Sequence, residues 1–139
     1  MFFIENSRFF DLSYLSSVPG IEILCPADGN QLEEMLDYAV NVCKGPVAIR
    51  YPRGSSVSEH LRIKAFTGDN IRLTEGKDVT LLAVGAMMDP CLKAAEILRE
   101  NGLDTGVWNV GRVKPFVNIW KDLDTRLVVT AEDNVYNGG

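Results

Sequence analysis

The sequence predicts an α/β protein built from two partial three-layer units with mainly parallel sheets, and three observations carry that expectation. Apolar runs of strand length alternate with segments of helical period. The run 79–84 (VTLLAV) is continuous, as a strand buried on both faces requires. The order strand, helix, strand occurs twice, on either side of a polar stretch with no clear period.

Residues 21–25 (IEILC) lie between Gly20 and Pro26 and read as a short buried strand. The helix predicted next is capped by Asp28, with Gln31 three residues on completing an imperfect capping box. Its apolar face is Leu32, Met35, Leu36, Ala39, Val40 and Cys43, and Gly45-Pro46 stops it. Residues 47–51 (VAIRY) form the second strand. Residues 55–69 read as a linker.

After the linker, 70–74 is a short edge strand closing on the turn EGKD (75–78), and 79–84 opens a new sheet. Asp89 is expected to cap the following helix with Pro90 at its first position, and Gly102 to end it. Cys91, Ala94, Ala95 and Leu98 make its inner face. Residues 105–110 and 126–130 supply two more strands, parallel by the crossover rule. A short helix is placed between them at 116–123.

Composition narrows the function classes. The 139-residue chain has 14 basic and 19 acidic side chains, a net charge of −5 and no basic stripe interleaved with aromatics, which argues against nucleic acid. Cys25, Cys43 and Cys91 are widely spaced and lack a CxxC pairing, so they read as buried thiols in a reducing compartment. The apolar start MFFIENSRFF is interrupted by Glu5 and Arg8 before it reaches signal-peptide or membrane length. The expectation is a cytoplasmic protein that does not enter a membrane.

Ligands of open parallel sheets sit beyond the carboxyl ends of the strands, and two charged stretches lie there. In RYPRG (50–54), Arg53 is either a solvated loop arginine or a bidentate donor for a phosphate or carboxylate behind the rigid Pro52. Arg50 alternates with Ile49, so it faces the other side of the sheet and pairs with a carboxylate. Glu132 and Asp133 follow the last strand and read as a charged strand-to-loop transition, since no partner base is identifiable. Asn134 and the following glycines suit a tight turn. His60 stands without a second ligand, which disfavours a metal site. No GxGxxG or GxxxxGK[ST] stretch is present, so a self-contained nucleotide site is unsupported.

FDLSYLSSVPGIEILCPADGNQLEEML (10–36), GPVAIRYPRG (45–54), EGKDVTLLAVGAMM (75–88), VKPF (113–116) and LVVTAEDNVYNGG (127–139) follow one another in a specific order. In that order they resemble the 1-deoxy-D-xylulose-5-phosphate synthase family of the transketolase superfamily. The resemblance implies condensation of pyruvate with glyceraldehyde 3-phosphate and loss of carbon dioxide, for isoprenoid precursors and thiamine. It also implies thiamine diphosphate and magnesium as cofactors of the full-length family enzyme. Residues 1–54 match the end of the pyrimidine-binding domain and 70–139 the first part of the C-terminal domain. The family's GDG…N motif for the diphosphate and metal, and its activating glutamate, have no counterpart, so no cofactor is expected on this chain alone.

By the same resemblance Arg53 is the arginine that contacts the substrate phosphate. Asn6 stands where the family has an active-site histidine, and Arg8 where it has glycine; no catalytic residue is therefore assigned. Asparagine cannot carry a proton near neutral pH as imidazole does. Two expectations follow: a piece of a synthase active only with the missing domains, or a non-catalytic α/β remnant with an interaction surface. Self-association or those missing domains are the expected partners.

Overall fold

The computed structural model describes residues 2–6, 11–52, 63, 65–116 and 119–133, with the backbone path alone at 2–6 and 52. Arg8, Arg53, His60 and Asn134 lie outside the described residues. The fold is α/β, with two four-stranded sheets among the described residues.

The first sheet has the order β1-β3-β2-β7, from β1 (Phe2–Asn6), β3 (Val47–Pro52), β2 (Glu22–Leu24) and β7 (Arg112–Lys114). β1 and β2 run parallel to β3 on either side, and β7 closes the edge antiparallel to β2. The second sheet has the order β4-β6-β5-β8, from β4 (Ile71–Thr74), β6 (Thr105–Val110), β5 (Val79–Val84) and β8 (Leu127–Ala131). β5 is parallel to both β6 and β8, while β4 is antiparallel to β6.

Among the described residues three helices accompany the sheets: α1 (Asp11–Ser16), α2 (Gly29–Asn41) and α3 (Met88–Glu100). The two-residue period of the strands decides which core each side chain joins. Val47 and Ile49 of β3 and Leu24 of β2 pack with Met35 and Ala39 of α2. Val79, Leu81 and Ala83 of β5 pack with Met88, Cys91 and Ala95 of α3. The intervening residues face the other way, and Ile23, Cys25, Ala48, Leu82, Val84, Trp108 and Val110 meet in one core between the sheets. The two strand-helix-strand units thus share their inner layer, to which α1 adds Leu12 and Leu15.

The helix boundaries show what the sequence carried and where it failed. Asp28 caps α2 as expected, its carboxylate accepting the Gln31 N–H at 2.8 Å. The Gln31 side chain reaches back to the Ala27 N–H at 2.8 Å, one residue earlier than in the standard box. Asp89, by contrast, does not cap α3. A 3-10 turn at Gly85–Met87 runs straight into the helix, so Met87 holds the cap position and Asp89 falls inside the first turn. Its carboxylate instead binds Lys93 one turn on at 2.7 Å. Pro90 is tolerated because first-turn N–H groups have no intrahelical acceptor. Gly102, at φ +82°, ends α3 as expected, and the Leu103 N–H returns to the Leu98 carbonyl at 3.0 Å.

Further expectations need correction. Val40 does not join the inner face of α2 but is 68% exposed. The helix placed at 116–123 is a single 3-10 turn, Trp120–Asp122. The strands expected to run parallel in the second half do so, β5 beside β6 and β8, but the edge strand β4 pairs antiparallel and β7, which the sequence did not mark, leaves its own half to extend the first sheet. In the stretch read as linker, Phe66 is buried against the α2 side of the first sheet, and its N–H donates to Glu34 at 2.7 Å. That packing follows from one large apolar side chain in a polar stretch, which an average over the segment conceals.

Candidate functional site

The carboxyl ends of β3 and β8 converge on Arg50. Because Arg50 shares the face of Ala48, it points toward the second sheet and away from α2. Its Nε donates to Asp11 at 2.9 Å, both side chains being 5% exposed. Its terminal nitrogen donates to the Asp133 carbonyl and lies 3.6 Å from the Asp133 carboxylate. The expectation that Arg50 faces the opposite side and pairs with a carboxylate is met. Asp11 was not singled out from sequence; the available signal was a carboxylate at the start of the short apolar segment DLSYL. In the fold that carboxylate also accepts the Leu12 N–H at 3.0 Å.

Glu132 and Cys25 adjoin the same guanidinium. Burial raises the Glu132 carboxyl above its ordinary range, and the Arg50 charge opposes the shift. Burial pushes the Cys25 thiol up to about 12, against the same Arg50 charge, so Cys25 is an inert core thiol. Burial likewise raises Cys91 and the half-buried Cys43, and all three cysteines are free.

Asn6 ends β1 directly opposite Pro52, and adjacent strands lie about 4.8 Å apart. The chain position of Asn6 is therefore next to the residue that precedes Arg53, at the same end of the sheet as Arg50. A second polar link joins the halves deeper in the fold. The Asn109 amide of β6 donates to the Gln31 carbonyl oxygen at 3.1 Å, with both residues buried. Arg112 makes a third, binding Glu22 at 2.6 Å and the Gly68 carbonyl at 2.9 Å.

Among the described residues no group of three His, Cys, Asp or Glu side chains could hold a metal ion. Also among the described residues, no helix is long and apolar enough to cross a membrane.

An α/β fold with polar groups gathered at carboxyl strand ends defines a class that binds ligands there. Residues 68–139 match the family described as transketolase, C-terminal domain, and residues 5–57 match transketolase, pyrimidine binding domain. The chain belongs to the transketolase family.

It is 41% identical over 139 residues to 1-deoxy-D-xylulose-5-phosphate synthase of Syntrophus aciditrophicus (strain SB), which spans 94% of this chain and 21% of that protein. It is 40% identical over 138 residues to 1-deoxy-D-xylulose-5-phosphate synthase 1 of Geobacter sulfurreducens, with the same coverage. The chain thus spans about a fifth of the length of these curated relatives. Among solved structures it resembles a chain described as a split gene transketolase, inactive beta4 tetramer. The TM-score is 0.86 at 33% identity, covering 96% of this chain and 46% of that one. Transketolase from Pichia stipitis in complex with sedoheptulose 7-phosphate shares the fold, with TM-score 0.76 at 18% identity and 21% of that chain covered.

Proposed function

We propose that this chain forms the junction of the pyrimidine-binding and C-terminal domains of a 1-deoxy-D-xylulose-5-phosphate synthase, through residues 1–54 and 70–139 joined by 55–69. The observation that carries this reading is the 41% identity extending across 94% of the chain. The activity it serves is the thiamine-diphosphate-dependent condensation of pyruvate with glyceraldehyde 3-phosphate. Arg53, the residue after Pro52 in the sequence, contributes the donor for the aldehyde's phosphate. The chain is inactive alone, and its partner is the polypeptide carrying the remaining synthase domains, with magnesium and the cofactor bound there. Three free cysteines suit a cytoplasmic setting. Asn6 favours a second reading, a non-catalytic remnant, because proton transfer at that position is lost.

A chimera separates the two. The matched stretch of the Syntrophus aciditrophicus synthase is replaced by this chain, and folding, thiamine diphosphate binding and turnover are measured. The expected result is a folded, cofactor-binding chimera of low turnover, raised at least tenfold by Asn6→His with Arg8→Gly. Adding Arg53→Ala is expected to raise the KM for glyceraldehyde 3-phosphate at least tenfold with kcat little changed. A folded chimera that stays inactive after the Asn6 and Arg8 replacements overturns the synthase reading in favour of the remnant. An unchanged KM removes Arg53 from the phosphate site.

A further inference from the structure

β8 is an edge of the second sheet: among the described residues it pairs with β5 on one side and with no strand on the other. An edge leaves a row of backbone N–H and C=O groups open to a further strand, and folded chains blunt such rows with charged side chains, prolines or bulges. The edge strands β4 and β7 both carry these devices. β4 holds Arg72 and shifts register between Arg72 and Thr74, while β7 holds Arg112 and Lys114 and meets a register shift between Ile23 and Leu24. β8 has none of them: its sequence is LVVTA, and its register on β5 is unbroken from Leu127 to Ala131.

Its side chains are open as well. Leu127, Val129 and Ala131 stand opposite Val79, Leu81 and Ala83, so they share the face that α3 covers. α3 packs over β5 and β6, and beside it Leu127 and Val129 are left 54% and 40% exposed. Val128 points the other way, against the core between the sheets. The exposed Arg126 immediately precedes the strand and the partly exposed Glu132 immediately follows it.

We propose that β8 pairs antiparallel with β8 of a second copy of this chain, about a two-fold axis through Val129, so that the second sheets of the two copies become one continuous sheet. A two-fold axis perpendicular to the sheet keeps each face on its own side, so residues opposite one another must lie an even number of positions apart in sequence. Pairing centred on Val128 sets Asp124 against Glu132, and pairing centred on Thr130 sets Leu127 against Asp133. Pairing centred on Val129 sets Arg126 against Glu132 at both ends, Leu127 against Ala131, and Val129 against its own copy. Opposite charges directly across a strand pair attract and like charges repel, so the flanking charges select this register. The pairing requires only this chain and holds with or without a synthase activity.

The test uses the whole chain. Sedimentation equilibrium between about 5 and 500 µM is expected to show a monomer–dimer equilibrium with a Kd of about 100 µM or tighter. Arg126→Glu sets like charges opposite one another, and Val129→Lys places a charge on the edge; each is expected to weaken the dimer at least tenfold. Both positions are exposed, so the fold is retained. Cysteine cross-linking reads the register, in a Cys43→Ser background that removes the half-buried native thiol. Val129→Cys meets its own copy with Cα atoms about 4.5–5.5 Å apart, within disulfide reach, whereas Leu127→Cys stands about 13 Å along the strand from its counterpart. Val129→Cys is therefore expected to form the intermolecular disulfide at least tenfold faster. A chain that stays monomeric across the range leaves the edge to a different polypeptide and overturns the proposal. So does a dimer that Arg126→Glu and Val129→Lys leave unchanged, or equal cross-linking of the two cysteine variants.

Discussion

Arg50 and Asp133, 83 positions apart, meet at the carboxyl ends of β3 and β8, where the Arg50 guanidinium donates to the Asp133 carbonyl and faces its carboxylate. The same guanidinium holds the buried Asp11, so one side chain fastens α1, the first sheet and the second sheet together.

Removing that charge leaves Asp11 buried without its counter-ion. Arg50→Ala is therefore expected to destabilise the chain by about 3–5 kcal/mol, the usual cost of breaking a buried pair from one side. Asp133→Asn keeps the backbone carbonyl acceptor and removes a carboxylate that is 34% exposed, so its cost is about 1 kcal/mol or less. Urea denaturation of the two variants measures the difference; equal midpoints would refute the clasp.

Glu132 gives a pH dependence of known sign. Its carboxyl is raised from 4.5 in the fold, so the folded state holds the proton more tightly than the unfolded chain. The associated stability is complete below about pH 4.5 and is lost as pH rises through the folded value. Glu132→Gln is expected to abolish that part of the profile and to narrow or reverse any deficit at pH 7. Thermal midpoints taken from pH 4 to 8 for both proteins test it, and parallel curves would exclude the effect.

Two glycines should differ in the size and the cause of the loss. Gly76→Ala drives a Cβ into the backbone of Gly106 and Thr105, and neither can move without disturbing β6. A loss of about 3 kcal/mol or more is expected. Gly102 has open space around it but φ +82°, so Gly102→Ala costs only the left-handed backbone penalty of about 1 kcal/mol. Chemical denaturation ranks them, and a milder effect at Gly76 would contradict the close approach.

At the start of α2, Asp28→Ala is expected to cost about 1 kcal/mol through loss of the cap. Gln31→Leu should cost more, because it leaves the part-buried Ala27 N–H and the buried Asn109 amide without their acceptor. If Asp28→Ala proves the more damaging, the link between α2 and β6 carries little energy.

The sequence made β5 and β6 legible to the residue, because strands buried along their whole length are rich in apolar and β-branched side chains and are bounded here by turn residues. It also placed the Asp28 cap and the Gly102 stop, whose chemistry is local. The site was only half legible. Alternation with Ile49 turned Arg50 toward a carboxylate, but nothing nearby in sequence identified that partner as Asp11, 39 positions away, or added Asp133. Arg53 and His60 lie outside the described residues.

Period, cap and turn chemistry act over a few residues, so the sequence by itself determined that this is an α/β chain with two strand-helix-strand units and charged groups at the strand ends. Tertiary structure alone decided that the units share one inner core, that β7 crosses to the other half's sheet, and that Arg50 closes the seam. Each of these depends on contacts between residues far apart in the chain, and their geometry exists only once both sheets are packed face to face.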